Sequence, residues 1–498
     1  MHRIVIPKRN GQRPTTLDAV VVGAGPNGLA AALVLADAGH AVRVIEAERE
    51  FGGGLRTEEL TLPGFRHDVC SAIHPLGIGS PLLRTLPLGE HGLEWVHPEA
   101  PLAHPLPGGG AAILERSLDQ TARGLGPDGD AWRSLMGPHV KAWPEIEADV
   151  LGPPRPPRHP IAMARFARHA LRSAEAVGRR FRGEKAAALW AGLAAHSMRA
   201  LDRPLTAGIG LVLAILAHRV GWPFPRGGSE QLALAMASLL ANRAGEILVG
   251  QRVESLDQVP AADAVLLDVT PRQLLRIAGD RLSPGYRRSL ARFRYGPAAF
   301  KVDWALDDPI PWLAEECARA GTVHIGGTAA EIAAGEKAVE RGEHPERPFV
   351  LLAQPTLFDD ERAPAGGHVA WSYCHVPNGS TVDMAERIER QIERFAPGFR
   401  ERILARHTMG PAELEAHNAN LVGGHINGGL QDFRQTFGRP VPSLDPYSTP
   451  VPGVYICSSS TPPGGGVHGM CGYHAARSAL RGSLAGTNSA RVFMPTKP

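Results

Sequence analysis

Cysteine is scarce in this chain: five residues among 498, at Cys70, Cys317, Cys374, Cys457 and Cys471. No two of them stand as C-x-x-C, which leaves a thioredoxin-type redox pair and a zinc ribbon unsupported. An odd, scattered set suits a reducing compartment. An excess of either charge is also missing, since Lys and Arg number 53 against 50 for Asp and Glu. A net charge of +3 gives no reason to expect a nucleic-acid partner, whose footprint is a concentrated basic face. Long apolar runs are lacking as well. The longest, Leu205 to Leu216, is too short to cross a bilayer as a helix, and Met1 to Asp18 carries no run suited to a signal peptide. A cytoplasmic location follows as the expectation. No H-E-x-x-H, G-x-S-x-G or P-loop is present, and the 21 histidines are dispersed, so neither a metal site nor a hydrolytic triad is expected.

The length exceeds what one core usually organises and predicts two or three domains. Glycine (57) and proline (44) are abundant, gathered at turns, as in a loop-rich folded protein. Near the N-terminus a β-branched run, Asp18 to Val22, enters Gly23-Ala24-Gly25-Pro26-Asn27-Gly28, and an Ala/Leu-rich helix follows from Leu29 to Ala38. A second strand, Ala41 to Ile45, delivers Glu46 and Ala47 at its end. Strand, G-x-G-x-x-G turn, helix and second strand form a dinucleotide-binding unit. Gly23 allows the tight turn, Gly25 the approach of a pyrophosphate and Gly28 the contact of helix with strand. The helix N-terminus offers free N–H groups to phosphate, and Glu46, about 20 residues on, suits an adenosine ribose. These features do not choose between NAD and FAD.

The continuation does. Gly52-Gly53-Gly54-Leu55-Arg56-Thr57, followed by Gly64-Phe65-Arg66-His67-Asp68, resembles the second glycine motif of flavin-containing amine oxidases and carotenoid desaturases. In that motif an arginine directly after the glycine pair embraces the FAD pyrophosphate. Here Gly54 stands at that position, and the resemblance leaves Arg56 to supply the charge. Further along, Gly227-Gly228-Ser229 precedes a helix from Glu230 to Ala241, a strand expected over Glu246 to Val253, and Ala264 to Leu267 running into Thr270-Pro271. The C-terminal stretch has a strand, Gly453 to Cys457, a Pro/Gly-rich loop from Ser458 to Gly466, and Val467-His468-Gly469-Met470 opening a helix through Ala479. Its Thr461-Pro462-Pro463-Gly464-Gly465-Gly466 run is similar to the signature of phytoene desaturases. Amine oxidases usually place an acid at the position of Ser459.

Together with His67 to His74, Lys301 to Leu306 and Tyr373 to Pro377, these motifs identify the chain as a member of the phytoene-desaturase-like FAD oxidoreductases, a resemblance covering nearly its whole length. The resemblance implies an α/β fold. A Rossmann-type FAD domain would be assembled from residues 17–114, 223–270 and 447–486, with an α+β substrate domain from 115–222 (helical) and 271–446. It implies FAD contacts at Gly23, Gly25, Pro26, Asn27, Gly28, Glu46, Ala47, Arg56, Ala72, Ile73, Val253, Ser459, Gly469 and Met470, with Val253 reading the adenine. The implied activity is that of an oxidoreductase, a desaturase or dehydrogenase moving a hydride from a C–H bond of an apolar substrate to flavin N5. Isomerisation or saturation is open on the same scaffold.

Lys301 resembles the lysine that amine oxidases hold near N5, and it also stands two residues from Asp303 on one strand face. His468, at the helix start, is a candidate proton acceptor or flavin partner, and equally a structural histidine. Gly208 to Leu213 lacks a third glycine, so no second nucleotide site is expected, and oxygen, a quinone or an electron carrier is the expected acceptor. An amine oxidase and a non-catalytic flavin-bound scaffold stand as alternative readings. Finally, residues 155–185 hold nine Arg and Lys against Glu175 and Glu184. Met163, Phe166, Ala170, Ala174, Val177 and Phe181 recur there at helical spacing, which predicts a basic amphipathic helix suited to an anionic lipid surface.

Overall fold

The computed structural model describes residues 16–486; most of the Met1–Asp18 stretch considered above lies outside the described residues. In chain order the principal elements are β1 (Leu17–Val22), α1 (Pro26–Asp37), β2 (Val42–Ile45), β3 (Ala100–Leu106), β4 (Gly110–Leu114), α2 (Gly129–Val150), α3 (Pro160–Ala170), α4 (Ala174–Gly178), α5 (Glu184–Ala195) and α6 (Thr206–Arg219). They continue with α7 (Glu230–Asn242), β5 (Glu246–Leu248), β6 (Ala262–Leu267), α8 (Pro271–Ala278), β7 (Ala298–Leu306), β8 (Ala320–Ile325), β9 (Val350–Ala353), β10 (His368–Val376), α9 (Ala385–Glu393), β11 (Ile403–Met409), β12 (Val454–Ile456) and α10 (Met470–Arg481).

One sheet has five parallel strands in the order β12-β6-β1-β2-β5. Its strands are apolar nearly throughout, as a sheet covered on both faces requires. Helix α1 begins three residues earlier than the sequence predicts, because Pro26 occupies its first turn, where the missing N–H costs nothing. The strand expected over 246–253 stops at Leu248. Its partner β2 ends at Ile45, opposite Leu248, so the ladder runs out, and the chain instead clips back through Gln251 N–H to Glu46 O at 2.8 Å.

The second sheet has seven strands in the order β11-β7-β10-β9-β8-β3-β4. Residues 100–114, assigned by sequence to the first FAD segment, thus belong to this second sheet: β3 pairs parallel with β8. Its two faces differ. Phe300, Val302, Trp304, Val323, Leu352 and Cys374 pack with Ile388, Ile392 and Phe399 in one core. On the opposite face, register aligns Lys301 with Tyr373 and Asp303 with Trp371, then Leu351 with Tyr373, and Thr322 with Ala353 and His324 with Leu351. This second face turns toward the parallel sheet, and the site lies between them.

The basic segment is not one amphipathic helix. It breaks at Leu171–Ser173 into α3 and α4, where the Ser173 hydroxyl accepts from Ala176 N–H at 3.2 Å. Its apolar row is consumed by the core: Phe166, Ala170, Ala174, Val177 and Phe181 are all buried, with the Phe181 ring 5.8 Å from that of Trp132. Those side chains are unavailable to lipid. The arginines form a solvated back to a packed helix pair. Among the described residues no helix is long and apolar enough to cross a membrane. The run from Leu205 to Leu216 is core helix α6, with Leu213 also reaching the cavity described below.

Candidate active site

The C-terminal ends of β1, β2 and β6 converge on one elongated cavity of about 540 Å3. This is where parallel α/β sheets bind ligands. Its first part is a cradle made by the glycine turn. A Cβ at Gly28 would come within 1.9 Å of Gly23 O, so only glycine lets α1 start this close to β1. Two donors of the turn are already used by carboxylates: Ala24 N–H donates to Glu46 Oε2 at 2.7 Å, and Gly28 N–H to Asp268 Oδ2 at 3.0 Å. Gly23, Gly25, Pro26, Asn27, Glu46, Ala47, Arg56, Ala72, Ile73, Val253 and Ser459, all expected from sequence, line the cavity. Gly28 supports it from behind.

Arg56 is the decisive side chain of this part. It is 9% exposed, and its guanidinium donates only to carbonyls, Gly53 O at 3.2 Å and His417 O at 3.0 Å. No carboxylate pairs with it at ion-pair distance among the described residues. A buried cation without a counter-ion is costly, and a diphosphate in the glycine cradle is the anion it lacks. The FAD pyrophosphate therefore fits the residues present. Four further buried polar atoms of lining residues, Asn27 Oδ1, Thr322 Oγ1, Trp371 Nε1 and His417 Nε2, have no partner among the described residues.

Sequence reasoning missed Asp268. Its signal was positional: it ends β6 as Glu46 ends β2, both strands flanking β1. Burial pushes its carboxyl up to about 7, the Gly28 N–H opposes that, and the Glu46 charge adds to it. A raised folded value means that the folded protein binds a proton the unfolded chain has released above about pH 4. Stability of the cofactor-free protein is thus expected to fall as pH rises from about 4 to 7, and FAD affinity to weaken above about 7 as an ionised Asp268 faces the pyrophosphate. FAD titrations across pH check this: Asp268→Asn should flatten the profile, and an unchanged profile would show that Asp268 is not the titrating group. Glu46→Ala should weaken FAD binding by about 1.5–3 kcal/mol through a lost charge-assisted bond, measured by fluorescence titration.

The C-terminal loop contributes Ser459, Gly466 and Val467 to the wall opposite Ala72 and Ile73. His468, Gly469 and Met470 do not line the cavity. The His468 ring is fully buried, its Nδ1 accepts from Met470 N–H at 3.0 Å, and burial pushes it down to about 4. It is a neutral group that closes the start of α10. Gly469 is the residue preceding α10 in a left-handed conformation, and Met470 is packed in the core. Ser229, which precedes α7, does not cap it with its side chain; its hydroxyl donates to Ser71 O at 2.6 Å.

Lys301 is buried and ion-paired with Asp303, with Nζ 5.9 Å from the centroid of the Trp371 ring. It does not line the cavity itself; its sheet neighbours Trp371 and Tyr373 do. Asp303 also faces His67 Nδ1 at 3.7 Å and His407 Nδ1 at 3.8 Å, and the His407 side chain is 35% exposed. Lys301 thus heads a polar row that reaches solvent, and the structural pairing and the position near the cavity coexist.

A family model described as flavin containing amine oxidoreductase matches residues 27–281, just over half of the chain. The chain belongs to that family. It is an FAD-dependent oxidoreductase with a Rossmann-like parallel core and a substrate domain, in agreement with the cradle and the buried Arg56. A mouse protein, pyridine nucleotide-disulfide oxidoreductase domain-containing protein 2, is 27% identical over 95% of this chain and 94% of its own. The disulfide of that name has no counterpart here, since all five cysteines are free. Phytoene dehydrogenase of Streptomyces griseus is 26% identical over 39% of this chain and 38% of its own. An oxidoreductase structure from Methanosarcina mazei shares the fold, with a TM-score of 0.62 and 17% identity over 93% of this chain and all of that one.

Proposed function

We propose that this enzyme dehydrogenates a neutral, largely apolar small molecule, removing hydride from a C–H bond in a desaturase-type reaction. The observation that carries this reading is the lining of the cavity beyond Ala72 and Ile73. Leu213, Trp222, Leu351, Trp371, Tyr373 and Ile426 form its walls, and the carboxylates of the cavity, such as Glu46 and Asp268, all sit in the nucleotide part. A protonated amine entering the apolar part would meet no counter-charge, whereas a hydrocarbon skeleton is desolvated favourably at about 25 cal/mol per Å2.

Bound FAD supplies the hydride acceptor; the protein positions, desolvates and moves protons. Gly23, Gly25 and Arg56 would hold the pyrophosphate, Glu46 the ribose, and Val253 would border the adenine. Trp371 and Tyr373, their rings 5.4 Å apart and edge-to-face, present a rigid wall against which a flat substrate is pressed. The row Lys301, Asp303, His407 connects the interior with solvent and suits proton exit. Residues 17–114 without β3 and β4, 223–270 and 447–486 would form the FAD domain, and the remainder the substrate domain. Oxygen, a quinone or an electron carrier would reoxidise the enzyme.

The amine oxidase reading is supported by the description of the family model itself and by the Trp371–Tyr373 pair with Lys301 close behind it. Anaerobic mixing with a panel of terpenoid alkenes and ketones against primary and secondary amines separates the two. Loss of the flavin band with neutral compounds supports desaturation; bleaching by amines alone would replace it with amine oxidation.

A further inference from the structure

Histidines cluster at the substrate end of the cavity, where the mechanism above does not use them. A Cβ on Gly192 would lie 2.8 Å from His324 Nδ1, so glycine here lets α5 press against β8. One turn further on the same helix face, His196 at the end of α5 is carried over His324, and the two Nε2 atoms lie 2.9 Å apart. His196 lines the cavity, edge-on to Trp222 with ring centroids 5.9 Å apart. Among the described residues neither ring has a carboxylate partner. Burial, with the neighbouring His375 adding to it, pushes His196 down to about 3, and burial holds His324 well below its ordinary value. Both rings are neutral at physiological pH.

Neutrality fixes the direction of the bond between them. A neutral imidazole has one N–H, so one Nε2 donates and the other accepts. His324 Nδ1 is buried without a partner. The nearby His104 ring gives it none: His104 Nε2–H donates to Gly327 O at 2.8 Å, and the acceptor this leaves on its Nδ1 makes no bond to His324 or to any other group among the described residues. An N–H on His324 Nδ1 would therefore be stranded, at a cost of about 1–3 kcal/mol. The favoured arrangement has His324 Nε2–H donating to His196 Nε2, which leaves the proton of His196 on Nδ1. That N–H is a donor at the apolar end of the cavity.

Resting on the reading of a neutral apolar substrate, we propose that His196 is a specificity-determining residue whose Nδ1–H binds a carbonyl oxygen of the substrate, and that His324 is the positioning residue that fixes its tautomer. The substrate would then be an apolar skeleton bearing a keto or related carbonyl group. Among the described residues no cation lines this end to hold a carboxylate, and a donor does not receive an ammonium.

Three probes sharing one carbon skeleton test this with the FAD-loaded protein: benzylacetone, butylbenzene and the amine corresponding to benzylacetone, their binding read from the shift of the flavin absorption band without turnover. Benzylacetone is expected to bind roughly tenfold more tightly than butylbenzene, the scale of one neutral hydrogen bond, and more tightly than the amine. His196→Leu should erase the preference and His196→Gln keep part of it. His324→Leu should narrow the ketone-to-amine ratio and His324→Gln, which can donate to His196 in its place, should restore it. Equal binding of ketone and hydrocarbon, tighter binding of the amine, or a preference that survives His196→Leu would overturn the proposal. If a variant fails to retain FAD, the comparison of the three probes on the parent protein still decides. A His196-dependent ketone preference without flavin bleaching by any neutral compound would leave this inference standing and reject the desaturase reading.

Discussion

Arg56→Met is expected to yield a folded protein that loses most of its FAD during purification. In the parent the guanidinium is buried with two carbonyl partners and, among the described residues, no carboxylate at ion-pair distance, so an anion in the cradle supplies the direct counter-charge it lacks. Charge-assisted bonds of guanidinium to phosphate are worth about 1.5–3 kcal/mol each, which places the loss of affinity at roughly tenfold to more than a hundredfold. The cofactor-free protein should respond in the opposite sense, because the substitution removes an uncompensated buried cation. Dissociation constants from fluorescence titration, set beside denaturant midpoints of the apoprotein, separate the two effects. Undiminished FAD affinity in Arg56→Met would assign the pyrophosphate to another residue.

Lys301→Met carries the largest expected cost in stability. It strands Asp303, which is fully buried and whose nearest imidazoles, His67 and His407, stand at 3.7 and 3.8 Å. Burial pushes His67 down to about 4, so it is not a resident cation. Breaking such a pair by removing one partner costs about 3–5 kcal/mol. Replacing both, as in Lys301→Met with Asp303→Leu, should recover most of that loss, since an apolar pair of similar volume needs no partner. The double variant then isolates chemistry from folding. Its flavin reduction or reoxidation should remain slow if the polar row moves protons, and half-reactions as fast as the parent's would leave Lys301 a structural residue alone.

The nucleotide half of the site was legible in the sequence because its chemistry is local. The turn Gly23–Gly28, the acid Glu46 and the segment Gly52–Arg56 lie within 34 residues of one another, and each needs a particular residue at a particular backbone position. Asp268 escaped because it reaches the same turn from a strand 240 positions away, and nothing in its immediate neighbourhood marks it. His196 and His324 were hidden for the same reason. Their meaning is a bond across 128 positions, made by the close approach of α5 at Gly192. His468 illustrates the converse. A histidine at a helix start looks chemically poised, yet its ring turns inward to serve Met470 N–H. The basic segment misled through period alone: helical spacing of Phe166, Val177 and Phe181 records which residues face apolar surroundings, and does not distinguish a protein core from lipid.

The cavity lined by Glu46, Val253 and Arg56 would hold a complete FAD, the adenosine part beside Glu46 and Val253 and the pyrophosphate beside Arg56. Heat denaturation of the purified protein, followed by chromatographic identification of the released flavin, tests this most directly. The predicted result is FAD, close to one per chain. Release of FMN, or a protein that neither contains flavin nor takes up added FAD, would contradict it.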